Sequence, residues 1–250
     1  MLRMLTQGSD DLPRLLIAHG LFGSARNWSV IAKRLSDQFH VMTVDMRNHG
    51  DSPRAPTNSY MDMAADLAEV LEADGPAHVM GHSMGGKAAM VLALTRPELV
   101  TKLLVADIAP VGYTHSHAHF IDAMRRVDLG NIKTRGDADR QLAADVSEDG
   151  VRAFLLQSLD LKTKTWRLNL DILEAEMPEI IGFPDVTGSY DGPTFFLSGG
   201  ASDYVLPDHR PLIKPLFPNA RFAKLPGVGH WLHAENPRAF EASMRLFFNA

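Results

Sequence analysis

The chain has 250 residues, 45% of them hydrophobic, a net charge of −5 and no cysteine. That length suits one α/β domain carrying an insertion better than two independent domains, and the acidic balance gives no electrostatic ground for nucleic-acid binding. The missing cysteines exclude disulfides, thiolate metal sites and a cysteine nucleophile, and no apolar run is long enough for a membrane span.

No apolar leader stands at the N-terminus, so a cytoplasmic location is expected. Residues 1–5 read as a short edge strand, and residues 14–18 as an apolar strand that turns out through His19-Gly20-Leu21-Phe22-Gly23-Ser24. Residues 27–35 read as a helix with Trp28, Ile31 and Leu35 on one face. A strand over 40–45 leads into the turn-rich run Met46-Arg47-Asn48-His49-Gly50-Asp51-Ser52-Pro53. Ser59 then caps a helix reaching to about residue 73, and 77–80 form a short buried strand.

Next comes Gly81-His82-Ser83-Met84-Gly85, a G-x-S-x-G pattern between that strand and the helix-forming run Gly86-Lys87-Ala88-Ala89-Met90-Val91. Pro97 predicts that this helix stops near Arg96. A serine hydroxyl is a weak nucleophile and needs exposure plus a base, and a sharp strand-to-helix turn lifts it above the sheet. Such a turn crowds the positions two before and two after, and both are glycine here. The helix behind the serine aims backbone N–H groups at developing negative charge.

Residues 102–107 read as another strand, and strands alternating with helices indicate βαβ units and a mainly parallel sheet. The rhythm breaks after Pro110. Residues 111–185 read as helical without clear strands, with helices over 115–127, 138–146, 151–158 and 165–176 and loops at Gly130, Gly136, Gly150 and Pro178. This predicts a helical cap over 111–185 inserted into a core of 1–110 and 186–250. Strands return at 194–197 and 221–225, and a helix over 237–247 closes the chain.

A base for Ser83 is best supplied by His230, in a glycine-bearing loop after the last strand, at the sheet edge where α/β proteins place ligands. The order Ser, acid, His matches this arrangement. His233 is a weaker alternative, strand alternation turns His82 elsewhere, and His19 is expected to bond loop backbone. His115, His117 and His119 with Asp122 are read as a solvated helix face and not as a metal site. Backbone N–H groups of Leu21 and Met84 are the expected oxyanion donors. Two carboxylates could orient His230: Asp107, ending the strand before the insertion, and Asp203, just past the strand 194–197. Phe120, Met124 and Phe154 could line an acyl pocket, although packing between cap and core is the favoured reading for each, and Arg125 and Arg126 read as a solvated face in preference to a site for an anionic substrate.

The runs 19–24, Asn27-Trp28, 45–52, 81–87, Asp107-Ile108-Ala109-Pro110-Val111, 166–170 and Gly229-His230-Trp231 together resemble the YbfF-type esterases, capped members of the α/β-hydrolases, over nearly the whole chain. The resemblance implies the α/β-hydrolase fold: a mostly parallel sheet flanked by helices, with an inserted helical cap. It also implies a serine hydrolase without cofactor or metal, acting on a small-molecule carboxylic ester or acyl thioester through a Ser-His-Asp triad and an acyl-enzyme. In that pattern the acid falls at Asp107, whereas the fold at large places it at Asp203, so both stay candidates. C–C bond hydrolases and perhydrolases share such a triad, and a silent hydrolase-fold binding protein is the reading from outside enzymes.

Overall fold

The structure, a computed structural model, describes residues 1–114 and 116–250. Strands β1 (Met4–Gln7), β2 (Arg14–Ala18), β3 (His40–Val44), β4 (Ala77–His82) and β5 (Val100–Ala106) alternate with helices α1 (Ser29–Leu35), α2 (Tyr60–Asp74) and α3 (Met84–Thr95). Past Ala106 the chain leaves the sheet for α4 (Ala118–Arg126), α5 (Arg135–Leu142) and α6 (Asp149–Leu155). A hairpin of β6 (Leu159–Asp160) and β7 (Thr165–Trp166) follows, then α7 (Leu170–Ala175) and α8 (Met177–Ile181). It returns as β8 (Thr194–Gly199), α9 (Arg210–Leu216), β9 (Ala220–Leu225), α10 (Leu232–Glu235) and α11 (Pro237–Phe248).

Among the described residues seven strands form one sheet in the order β1-β3-β2-β4-β5-β8-β9. Only β1 runs antiparallel, on the edge beside β3, and the other pairings are parallel. Both faces are covered, and the pleat splits each strand between two cores. Leu16, Ala18, Met42, Val44, Val79, Leu103 and Val105 pack with α2 and α3. Their chain neighbours Leu15, Ile17, Val41, Met80, Leu104 and Ala106 pack with Trp28, Ile31, Leu35, Phe240, Met244 and Phe248 from the opposite side. This is why these strands read as continuous apolar runs. Helix α3 is buried all round from Met84 to Leu94, so its position is fixed by the core on every side.

Helix limits follow local chemistry. Ser59 accepts the Asp62 N–H at 3.2 Å and starts α2. Thr134 and Asp137 form a reciprocal capping box that starts α5, so Gly136 lies inside a first turn and not in a loop. Gly150 likewise sits in the first turn of α6. Pro178 occupies the first turn of α8, where a missing N–H costs nothing, so it opens a helix instead of separating two.

The reading of 165–176 as one helix is corrected. Thr165 and Trp166, both good strand formers, pair with Asp160 and Leu159, and Trp166 donates its indole N–H to Met124 O at 2.9 Å. The segment between β5 and β8 therefore contains a small hairpin. The start expected at His115 lies outside the described residues, and the described helix begins at Ala118. Helix α9 and the short α10 were not anticipated.

The segment between β5 and β8 is tied to the rest of the chain by backbone and side-chain hydrogen bonds. Gly50 N–H bonds Arg167 O at 2.8 Å, Asn169 N–H bonds Asn48 O at 2.9 Å, and Tyr60 donates to Ile180 O at 2.5 Å. Among the described residues no helix is long and apolar enough to cross a membrane.

Phe240 is fully buried, 5.9 Å from the Trp28 ring. Phe240→Ala is expected to lower stability by about 3–5 kcal/mol, read as a fall in the urea midpoint at unchanged slope.

Candidate active site

The carboxyl ends of β2, β4, β5, β8 and β9 converge on one edge of the sheet, and the candidate residues collect there. Ser83 sits between β4 and α3 with φ 53° and ψ −120°, a left-handed backbone that non-glycine residues rarely adopt. The turn closes because its neighbours have no side chains. A Cβ on Gly81 would lie 2.2 Å from Gly85 O, and one on Gly85 would lie 2.4 Å from Ala18 O. Ser83 N–H bonds Ala106 O at 3.0 Å, which anchors the turn to β5. The side chain is half-buried in a cleft that His230 also lines.

His230 follows β9. Its Nδ1–H donates to Asp107 Oδ2 at 2.8 Å, and because a carboxylate only accepts, the ring proton lies on Nδ1 and leaves Nε2 as the acceptor. Asp107 is fully buried, has φ 51°, and also accepts from Gly199 N–H at 2.9 Å and from the Ser202 hydroxyl. Asp203 is exposed. The structure thus puts Asp107 against His230 and leaves Asp203 in solvent, one residue past the serine that bonds Asp107. The ring of Tyr204 stacks on His230 with centroids 4.1 Å apart.

Side chains beyond the expected set hold these pieces in place. His82 is buried and donates Nε2–H to the carbonyl of His230 at 2.9 Å, so it ties the serine turn to the base loop. Burial pushes its pKa well below the usual histidine value, so it stays neutral. His19 donates Nδ1–H to Gly20 O at 2.8 Å and accepts the Met46 N–H on Nε2 at 2.9 Å. His49 donates Nδ1–H to Arg47 O at 2.8 Å and accepts the Phe22 N–H on Nε2 at 3.2 Å. Phe22 has φ 63°, and Gly20 approaches so closely that a Cβ there would be 3.2 Å from Ser83 Cβ. Two neutral histidines therefore fix the 19–23 loop that carries Leu21 beside Ser83. Asp45 accepts from Ala25 N–H at 2.7 Å and from Asp51 N–H at 2.9 Å, which pins the loop from behind. The run 45–52 was legible as a turn, but which of its side chains reach the 19–25 loop depends on β2 and β3 lying side by side. Met84 opens α3 immediately behind Ser83.

The cleft is walled by Phe22, Trp28, Phe120, Phe154, Leu155 and Trp231. Its apolar lining suits a small-molecule site. Met124 lies fully buried in the hydrophobic core, the packing role favoured for it over pocket lining. His233 is stacked on Trp28 at 4.0 Å, and burial lowers its pKa to about 4. Arg125 and Arg126 pair with Asp171, Glu174 and Asp145. Of the histidine cluster set aside above, His115 lies outside the described residues, and His117 Nε2 is 3.4 Å from the Tyr204 hydroxyl. Among the described residues no group of three His, Asp or Glu side chains could hold a metal ion.

Burial lowers the pKa of His19 to about 4 and that of His49 to about 3, from 6.5. Between those values and 6.5 the unfolded chain binds more protons than the folded one, so stability is complete above 6.5 and falls as the pH drops. Each histidine contributes a slope of at most about 1.4 kcal/mol per pH unit. His49→Gln keeps an acceptor near Nε2 but does not titrate. Its urea midpoint is expected to fall less steeply than that of the wild type between pH 6 and pH 4, and equal slopes would show that His49 is not a source of the acid sensitivity.

The α/β hydrolase fold family model matches residues 13–237. An sn-1-specific diacylglycerol lipase, ABHD11 of Mus musculus, is 44% identical over 97% of this chain and 83% of its own length. Esterase YbfF of Escherichia coli is 38% identical over 97% of this chain and 96% of its own. A solved marine microorganism esterase superposes with a TM-score of 0.94 at 38% identity, covering 98% of each chain. The chain belongs to the α/β hydrolase fold family and is a hydrolase of its esterase and lipase type.

Proposed function

We propose that the protein hydrolyses carboxylic esters with Ser83 as nucleophile, His230 as general base and then acid, and Asp107 as the group that orients His230. The single observation that carries this reading is the 2.8 Å bond from His230 Nδ1 to the buried Asp107, at the sheet edge where Ser83 stands on its strained turn. Nε2 takes the Ser83 proton as Oγ attacks the carbonyl carbon. The oxyanion that forms is met by the N–H groups of Leu21 and Met84. Collapse breaks the bond to the alcohol oxygen, which receives the proton from Nε2, and the acyl group stays on Oγ. Water then repeats the sequence: Nε2 takes its proton, the acid is released and Ser83 regains its own.

Asp107 accepts three hydrogen bonds and remains the partner that favours the imidazolium formed in each half of the cycle. An acyl thioester presents the same carbonyl and falls within the same chemistry. Residues 111–185 are proposed to act as the cap: Phe120, Phe154 and Leu155 from this segment complete the cleft walls over Ser83.

Ser83→Ala is expected to lower kcat on p-nitrophenyl esters about 10⁴-fold or more and to abolish labelling by a fluorophosphonate probe. Asp107→Asn is expected to cost about 10³–10⁴-fold in kcat with the fold retained by circular dichroism, and Asp203→Asn less than about tenfold. Wild-type turnover by Ser83→Ala, or the reverse ranking of the two aspartates, overturns the assignment.

A further inference from the structure

Two cavities meet at Ser83. One is the cleft described above, which His230 lines. The other shares Ser83, Leu21 and His117 with it but has its own walls of Met84, Ile108, Ile180 and Ile181. Among the described residues His230 lines the first cavity and not the second.

The chemistry assigns the two arms of an ester to them. The tetrahedral carbon carries Ser83 Oγ, the oxyanion, the acyl carbon and the alcohol oxygen. The alcohol oxygen must reach His230 Nε2 to leave with a proton, so the alcohol arm lies in the cavity that contains His230. Leu21, which lines both cavities, and Met84, which lines the second, are the residues assigned above to the oxyanion. The remaining direction belongs to the acyl carbon. Resting on the nucleophile and base assigned above, we propose that the second cavity takes the acyl arm and the first takes the alcohol arm, so that the substrates are esters of acyl groups of limited length with large apolar alcohols.

The length limit comes from Tyr60 and Lys87, which also line the second cavity. The Tyr60 hydroxyl is committed to Ile180 O at 2.5 Å. Lys87 Nζ donates to Ile181 O at 2.9 Å and to Gly182 O, and lies 4.7 Å from the centre of the Tyr113 ring. These bonds tie α8, which forms one wall, to α2 and α3, so a longer chain must break buried hydrogen bonds to enter. The first cavity is walled instead by the aromatic side chains of Phe22, Trp28, Phe120, Phe154 and Trp231.

The test uses two ester series on the intact protein. In one, p-nitrophenyl esters run from acetyl to dodecanoyl; in the other, acetates run from methyl to naphthylmethyl alcohols. For the wild type, kcat/KM is expected to rise about fourfold for each methylene the second cavity holds and then to fall. Ile180→Ala, or Ile180→Val if the larger truncation does not fold, should move the acyl optimum to longer chains and leave the alcohol ranking unchanged. Phe154→Ala should leave the acyl optimum in place and reduce discrimination among alcohols about tenfold. An acyl optimum that moves with Phe154→Ala, or an alcohol ranking that moves with Ile180→Ala, overturns the arm assignment while leaving the Ser83 reading intact. Absence of both ester turnover and fluorophosphonate labelling in the wild type overturns the nucleophile assignment itself, and the arm assignment with it.

Discussion

The turn at Ser83 is the constraint on which the rest depends. A serine held at φ 53° costs about 1–3 kcal/mol and persists only where surrounding structure over-determines it. Three contacts do so: Gly81 against Gly85, Gly85 against the end of β2, and the Ser83 N–H bond to the end of β5. The last two need a neighbouring strand in the right register, and α3 is buried on every side, which keeps the turn from relaxing. The sheet therefore serves as the frame that stores this strain.

A second left-handed residue, Asp107 at φ 51°, ends β5 beside the first. Its carboxylate is fully buried, and the cost of that is offset by donors from Gly199, Ser202 and His230, which belong to the β8 end and the β9 loop. The bond to His230 thus joins two strand ends that are far apart in sequence. His82 adds a third link, from the serine turn to the backbone of the base loop. Each of these ties uses a neutral donor or a satisfied charge, and for that reason they survive burial.

The loop opposite the serine is built on different chemistry. His19 and His49 act as fixed-tautomer brackets: one nitrogen donates to a carbonyl and the other accepts a backbone N–H. Only the neutral ring does both, and burial keeps it neutral. The inserted segment rests on the same loops through backbone bonds at Gly50 and Asn169, while Tyr60 and Lys87 hold its last helix. The two cavities at Ser83 are the spaces those ties leave.

Much of this was readable in the chain itself. The apolar strand runs, the glycines at 81 and 85, the Ser59 cap and the break after Pro110 rest on local stereochemistry and periodicity, which a sequence displays directly. The order Ser83, Asp107 or Asp203, His230 was legible for the same reason, since each residue follows a strand. The hairpin at 159–166 was not, because its pairs are two residues long and depend on Trp166 finding Met124. Nor were the roles of His49, His82 and Lys87, whose partners lie 27, 148 and 94 residues away. The choice between the two aspartates belongs to the same class. Both end up past adjacent parallel strands, and only the closing of β8 against β5 decides which carboxylate is buried beneath His230 and which faces water. Local sequence determines what an element is, whereas burial and long-range hydrogen bonding, which determine what a side chain does, exist only once the elements have packed.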